Sequence, residues 1–357
     1  MTTSDGPGTR RKSRLGRKLG IAFASLALLL VAGEIGLRMA GYAKVPARYF
    51  DPEIGVRYLP NQTRTMLGPR NEELAQATLN GAGYRGPFPN QPNSADILRI
   101  ACIGDSFTFG WNVEDDETYP AVLEELLTQE VGGRFEVVNF GVPGYNTWNE
   151  LQTYRRIARP LHADVVVIGF HLNDLQPPDA GPRFSETFFM RLVGKTALAE
   201  AFHIHLRHRI PWFDSGQTPE AKALKRRYKR NRVKIQFQPD SDVGRPYWET
   251  TMADLRALVQ EARADGARVL FVVFPSNAQI ARINEARKSG LELEAAVAKW
   301  SRPQARLARE CAELDLPYLD LLPPFLADEG LFGKVDYGHP SPRGYQVVAR
   351  EILEALQ

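Results

Sequence analysis

From Leu98 onward the chain alternates short apolar runs with longer stretches of helical period. The apolar runs are Leu98–Ile103, Phe135–Phe140, Val165–Phe170, Arg268–Phe274 and Pro317–Asp320. Most are rich in Val, Ile and Phe and show no polar alternation, the pattern of strands buried on both faces. Between them, apolar residues recur three and four apart over Tyr119–Glu130, Thr147–Ala158, Tyr247–Ala264, a long stretch within Ala278–Glu313, and Pro342–Leu356. Strands alternating with amphipathic helices predict an α/β protein with a parallel sheet covered on both sides.

Two regions break this rhythm. Residues 44–97 are rich in Pro, Gly and Asn and read as an extended lead-in of short strands and turns. Leu175 to Arg245 is a long connection that holds the aromatics Phe184, Phe188, Phe189, Trp212 and Phe213, then the basic tract Lys222 to Lys234. A connection of this length inside a compact domain is a lid or a binding loop. Its basic tract reads equally as a solvated helix face or as a contact for anionic glycan or lipid headgroups.

The N-terminus has a third character. Arg10, Arg11, Lys12, Arg14, Arg17 and Lys18 precede the apolar run Leu19 to Gly33. Glu34 and Arg38 follow one helical turn apart, and counting through Gly41 gives a length that crosses a bilayer. The two charges can pair and reach toward the interface. The basic flank places the tail in the cytoplasm and the remainder outside. A cleaved signal peptide is the alternative; an uncleaved anchor is preferred because no small-x-small site with a polar flank follows Gly33.

Composition narrows the partners. The chain has 357 residues, 43% hydrophobic and 24% charged, with a formal net charge of +3. That charge gives no argument for nucleic acid. Cys102 and Cys311 lie in a strand and on a helical pattern and read as small buried hydrophobes.

The chemistry concentrates at predicted strand ends. Ile100 to Gly110 reads Ile-Ala-Cys-Ile-Gly-Asp-Ser-Phe-Thr-Phe-Gly, so Ser106 stands just past the carboxyl end of a buried strand, where open α/β sheets place ligands. A serine nucleophile needs a neighbouring base. Of six histidines, only His339 lies in a Gly/Pro-rich loop before a terminal helix, three residues after Asp336. A carboxylate on one ring nitrogen and a serine on the other is triad logic. Glu200-x-x-His203 has the same spacing but reads as a surface helical pair. His203, His205 and His208 lack the shared face and acidic partners of a metal site. No metal or cofactor is expected.

Gly-Asp-Ser106, the segment Asn139 to Gly144, Asn173-Asp174 and Asp336-x-x-His339 occur in the order of the SGNH (GDSL-type) hydrolase family, which the chain resembles over residues 98 to 357. The resemblance implies a three-layer α/β/α sandwich on a flavodoxin-like, five-stranded parallel sheet. It implies an oxyanion hole from the Ser106 amide, the Gly141 amide and the Asn173 side chain, with Asp105 and Asp174 as structural braces. Asn80 to Gly86 resembles a segment of membrane-anchored members; read alone it is a glycine-rich turn.

The chain then divides into a cytoplasmic tail (1–18), a transmembrane signal anchor (19–41), a lead-in (42–97) and an extracytoplasmic hydrolase domain (98–357) with a lid at 175–245. The expected activity is hydrolysis of O-acyl esters, O-acetyl above all, on a carbohydrate or cell-envelope glycan. The same acyl-enzyme could instead transfer its acyl group to an exported polysaccharide. A non-catalytic glycan-binding protein is the third reading, opposed by the intact Ser106, Asn173, Asp336 and His339.

Overall fold

In the computed structural model the chain begins with helix α1 (Gly8–Met39), whose segment Gly16–Met39 is long and apolar enough to cross a membrane. The structure describes residues 8–40, 48–68, 72–89, 96–178, 196–199, 201, 219–290, 293–336 and 338–357. Glu34 and Arg38 pair across one turn at 2.7 Å. The Glu34 carboxylate also accepts from the backbone N–H groups of Ala197 and Leu198, at 2.9 and 3.0 Å.

The lead-in forms two antiparallel hairpins. β1 (Arg48–Asp51) pairs with β2 (Gly55–Tyr58), and β3 (Gln62–Leu67) pairs with β4 (Glu73–Leu79).

The five apolar runs become β5 (Leu98–Gly104), β6 (Phe135–Gly141), β7 (Val165–Phe170), β8 (Arg268–Val273) and β9 (Tyr318–Asp320). They form one parallel sheet in the order β6-β5-β7-β8-β9. This is the flavodoxin-like order, with its topological switch between β5 and β7. Successive strand residues face opposite sides, and each side is covered. Ile100, Cys102, Val165, Val167, Leu270 and Val272 pack in one apolar cluster. Ala101, Ile103, Val166, Ile168, Val269 and Phe271 pack in the other. Both cysteines are buried, and loss of solvation pushes both thiols up to about 12.

The helices supply the outer layers: α2 (Ser106–Phe109), α3 (Tyr119–Leu126), α4 (Thr147–Thr153), α5 (Pro219–Phe237), α6 (Arg245–Ala264), α7 (Asn277–Lys288), α8 (Leu293–Trp300), α9 (Arg302–Glu313), α10 (Leu322–Ala327) and α11 (Pro342–Leu356). Tyr345, Val348 and Ile352 of α11 join the first cluster, with Leu123 of α3. Leu255, Leu258 and Val259 of α6 join the second, with Leu151 of α4. The long helical stretch expected within Ala278–Glu313 is three helices. Gly290 takes a left-handed φ of 65° after α7, and Pro303 stands at the start of α9; both are helix-boundary residues.

Of the expected lid, residues 179–195, 200 and 202–218 lie outside the described residues. Its last part, the basic tract, is α5. Tyr228, Ile235 and Phe237 of α5 are buried, and the Trp248 indole donates to the Ile235 carbonyl at 2.7 Å.

Candidate active site

The parallel register sets Gly104, Gly141 and Gly169 side by side at the carboxyl ends of β5, β6 and β7. Ser106 begins α2 two residues beyond Gly104. Asp105 caps that helix by accepting from the Phe107 amide at 2.8 Å. The far end of α2 is held by the lead-in. The Arg85 guanidinium is buried, 1% exposed, and donates to the carbonyls of Phe109, Gly110, Gln76 and Val113. It also pairs with Asp115 at 2.6 Å. The Asn80 to Gly86 turn thus carries the residue that fixes the helix bearing Ser106.

His339 reaches Ser106 from the loop before α11. Its Nε2 lies 2.8 Å from Ser106 Oγ and its Nδ1 lies 2.8 Å from Asp336 Oδ2. A carboxylate can only accept, so Nδ1 carries the proton and Nε2 is left to accept from the serine hydroxyl. Asp336 is fixed in turn by the Gly338 amide at 2.8 Å. Burial pushes the Asp336 carboxyl up, but the hydrogen bond and charge of His339 and the Gly338 N–H outweigh it, and it sits below the usual carboxylate range. The loop is closed by Gly333 N–H to the His339 carbonyl at 2.8 Å.

Asn173 follows β7 on the other side of Ser106. Its Nδ2 donates to Asp105 Oδ2 at 2.7 Å, leaving one amide proton free to donate again. Its Oδ1 is hydrogen-bonded to His171 Nδ1. The His171 ring stacks on Phe107, centroids 4.3 Å apart, and Phe107 also lies 5.1 Å from the His339 ring. Burial lowers the His171 pKa, against the raising effect of the Asp105 charge. Sequence reading passed over His171; its position two residues before Asn173 was the available signal.

Gly141, expected as an oxyanion donor, ends β6. Its amide already donates to Asn139 Oδ1 at 2.9 Å, and it is buried. Its lack of a side chain serves packing: a Cβ there would meet the Phe109 nitrogen at 2.1 Å. Val142 N–H then bonds the Gly104 carbonyl at 3.1 Å, and the Val142–Tyr145 turn projects next to the Ser106 helix. Gly144 in that turn is exposed, has φ of 85°, and its N–H has no hydrogen-bond partner among the described residues.

Beneath these loops lie three buried carboxyl groups, Asp105, Glu150 and Asp174. Burial, then the neighbouring Asp105 charge, raises the Glu150 pKa well above the ordinary value. Burial and the charges of Glu150 and Asp105 do the same to Asp174. Nothing in the local sequence marks Glu150 as buried beside Asp105.

Glu200, His203, His205 and His208 lie outside the described residues. A groove of about 740 Å³ flanks the His339 loop, between α7 and residues 330–334, and presents Asn277, Glu285, Lys288 and Ser289.

The sheet order and the residues at its strand ends define an α/β/α hydrolase. A model of the GDSL-like lipase/acylhydrolase family matches residues 102–347, and the chain belongs to that family. It is an ester-hydrolysing enzyme. No curated protein matches the chain. Among solved structures, it is similar to a protein of the G-D-S-L family from Desulfitobacterium hafniense: 15% identity, TM-score 0.42, covering 72% of this chain and 99% of that one. It is similar to a lipase/acylhydrolase from Enterococcus faecalis (15%, TM-score 0.40, covering 72% and 94%). An acetyl xylan esterase, AlAXEase, is likewise similar (15%, TM-score 0.40, covering 73% and 100%).

Proposed function

We propose that the chain is a membrane-anchored serine esterase whose nucleophile is Ser106. The observation that carries this is the continuous hydrogen-bonded line Asp336–His339–Ser106. His339 Nε2 takes the Ser106 proton as Oγ attacks the ester carbonyl, then gives it to the departing alcohol. Asp336 holds the Nδ1–H tautomer and stabilises the imidazolium. Water then attacks the acyl-enzyme by the same route in reverse. The oxyanion is received by the Ser106 amide, the second Asn173 amide proton and the Gly144 N–H, which takes the place expected for Gly141.

The substrate in this reading is an O-acyl ester of a carbohydrate in the cell envelope. The groove beside the His339 loop supports it, because it presents Asn277, Glu285, Lys288 and Ser289 among apolar residues and the leaving alcohol must lie on the His339 side. The length and apolarity of Gly16–Met39 and the basic residues before it support an anchor with the catalytic domain outside.

The test is labelling of the detergent-solubilised chain with a fluorophosphonate, read by mass spectrometry. The expected result is one adduct, on Ser106, lost in His339→Ala. An unlabelled Ser106 in folded protein would falsify the assignment. Acyl release from an acetylated polysaccharide, compared with p-nitrophenyl acetate, then tests the carbohydrate.

A further inference from the structure

The Asn173 side chain is held at both ends of its amide. Nδ2 donates one proton to Asp105 Oδ2 at 2.7 Å, and Oδ1 is hydrogen-bonded to His171 Nδ1. A carboxylate only accepts, so Asp105 fixes which end of the amide is nitrogen. The other end is an oxygen, and a hydrogen bond to it requires His171 Nδ1 to carry the ring proton. The Asn173 backbone N–H lies 3.5 Å from the same Nδ1, at the outer limit of a hydrogen bond, so the shorter contact decides the tautomer. A proton on Nε2 instead would set the lone pair of Nδ1 against that of Oδ1. Nε2 is buried and has no hydrogen-bond partner among the described residues.

The imidazole is itself fixed by its neighbours. It stacks on the Phe107 ring, with centroids 4.3 Å and planes 24° apart. The His171 backbone N–H donates to Asp174 Oδ2 at 3.0 Å, and the His171 carbonyl accepts from the Asp174 N–H at 2.9 Å. Phe107 in turn gives its backbone N–H to Asp105 Oδ1 at 2.8 Å. Asp105, Asn173, His171 and Phe107 thus close a ring of contacts, and Ser106 stands between two of its members in the chain. The terminal torsion of an amide side chain is broad, so either end can face a given point. Turned over, Asn173 would present Oδ1 to a developing oxyanion and repel it. Asp105 opposes that turn from one end of the amide and His171 from the other.

We propose that His171 is a positioning residue for ester hydrolysis: its Nδ1–H pins Asn173 Oδ1, so that the second Nδ2 proton is presented where the oxyanion develops. The proposal rests on Ser106 as the nucleophile and Asn173 as an oxyanion donor. His171 acts only through Asn173. Its contribution is that the donor is aimed before the charge appears, which spares reorganisation during the reaction. Aim of this kind matters in the transition state and not in ground-state binding, so it acts on kcat and leaves KM alone.

The experiment is a double-mutant cycle on the full chain in detergent, with kcat and KM for p-nitrophenyl acetate determined separately. His171→Phe keeps an aromatic ring for the stack on Phe107 and removes the Nδ1–H. It is expected to lower kcat about tenfold, the worth of one hydrogen bond, with KM unchanged. In the Asn173→Ala background the same substitution is expected to cost nothing further, because no amide is left to pin. Should His171→Phe fail to fold, by its thermal midpoint, His171→Met lacks the donor too and carries the same cycle. Wild-type kcat in a folded His171 variant overturns the proposal and leaves Asn173 as the donor. An equal loss in both backgrounds, or a loss that appears in KM, also overturns it, since His171 would then act on the fold or on binding. Wild-type kcat in Asn173→Ala overturns the oxyanion reading itself, and the proposal with it.

Discussion

Asn173 and Asp105 are joined by a 2.7 Å hydrogen bond from Nδ2 to Oδ2, although 68 residues separate them. The bond crosses the switch point from β7 to β5. It ties the Asn173 side chain to the residue before Ser106, while the other Asp105 oxygen caps α2. Asn173→Ala is therefore expected to lower kcat for p-nitrophenyl acetate by about a hundredfold to a thousandfold, the cost of one oxyanion donor. Asp105→Ala should lower kcat too and, by losing the cap, reduce stability by about 1 kcal/mol. Unchanged kcat in Asn173→Ala, measured at saturating substrate, would remove it from the site.

Ser106, His339 and Asp336 act as one unit in the proposed mechanism. Ser106→Ala and His339→Ala should each cost on the order of a thousandfold or more in kcat, and the double variant little beyond either. Asp336→Asn should retain binding yet lose the Nδ1–H tautomer. Additive losses in the double variant, seen in steady-state kinetics, would show that the two side chains do not share one proton transfer.

Glu150 gives a pH dependence with a definite sign. Burial, and then the Asp105 charge, raises its folded pKa. The unfolded chain releases that proton near the ordinary glutamate value of about 4.3. Above that pH the folded state binds more protons, so its stability falls as pH rises, until Glu150 ionises in the fold. Asp174 contributes in the same direction. Glu150→Gln should therefore flatten the decline in thermal midpoint from weakly acid to alkaline pH. Parallel profiles for variant and wild type would mean that Glu150 is not the group responsible.

Arg85 links the lead-in to the nucleophile. Its guanidinium meets four backbone carbonyls and Asp115, and its side chain is buried. Arg85→Ala leaves several of those carbonyls unpaired in the interior, at about 1–3 kcal/mol each for such groups. Chemical denaturation should show a loss of several kcal/mol, and Arg85→Lys should recover only part of it, since an ammonium lacks the forked geometry. A midpoint within error of the wild type would mean that the hairpins do not brace α2.

The exposed face of α5 carries Arg226, Lys229 and Arg230. Replacing all three with Gln should weaken hydrolysis of an acylated anionic polysaccharide at low salt and leave p-nitrophenyl acetate hydrolysis unaffected. The difference should shrink as salt screens the charges. Equal rates on the polymer at low salt would mark the tract as a solvated helix face.

By itself the sequence determined which segments become the central strands, and where the groups of the proposed triad stand along the chain. A strand buried on both faces is mostly apolar, so β5 to β8 are visible as short runs rich in Val, Ile and Phe. Ser106 and the Asp336–His339 pair are legible because each is a local arrangement: a residue after a strand, and two residues within one turn. Only the tertiary structure decided that β5 sits between β6 and β7, and much follows from that placement. It engages Gly141 and leaves the Gly144 amide open, buries Glu150 beside Asp105, stacks His171 on Phe107, and brings Arg85 to the end of α2. Burial and pairing of a polar group depend on which distant segments become its neighbours. Local periodicity reports only whether a face is apolar, so these relationships appear when the sheet is assembled.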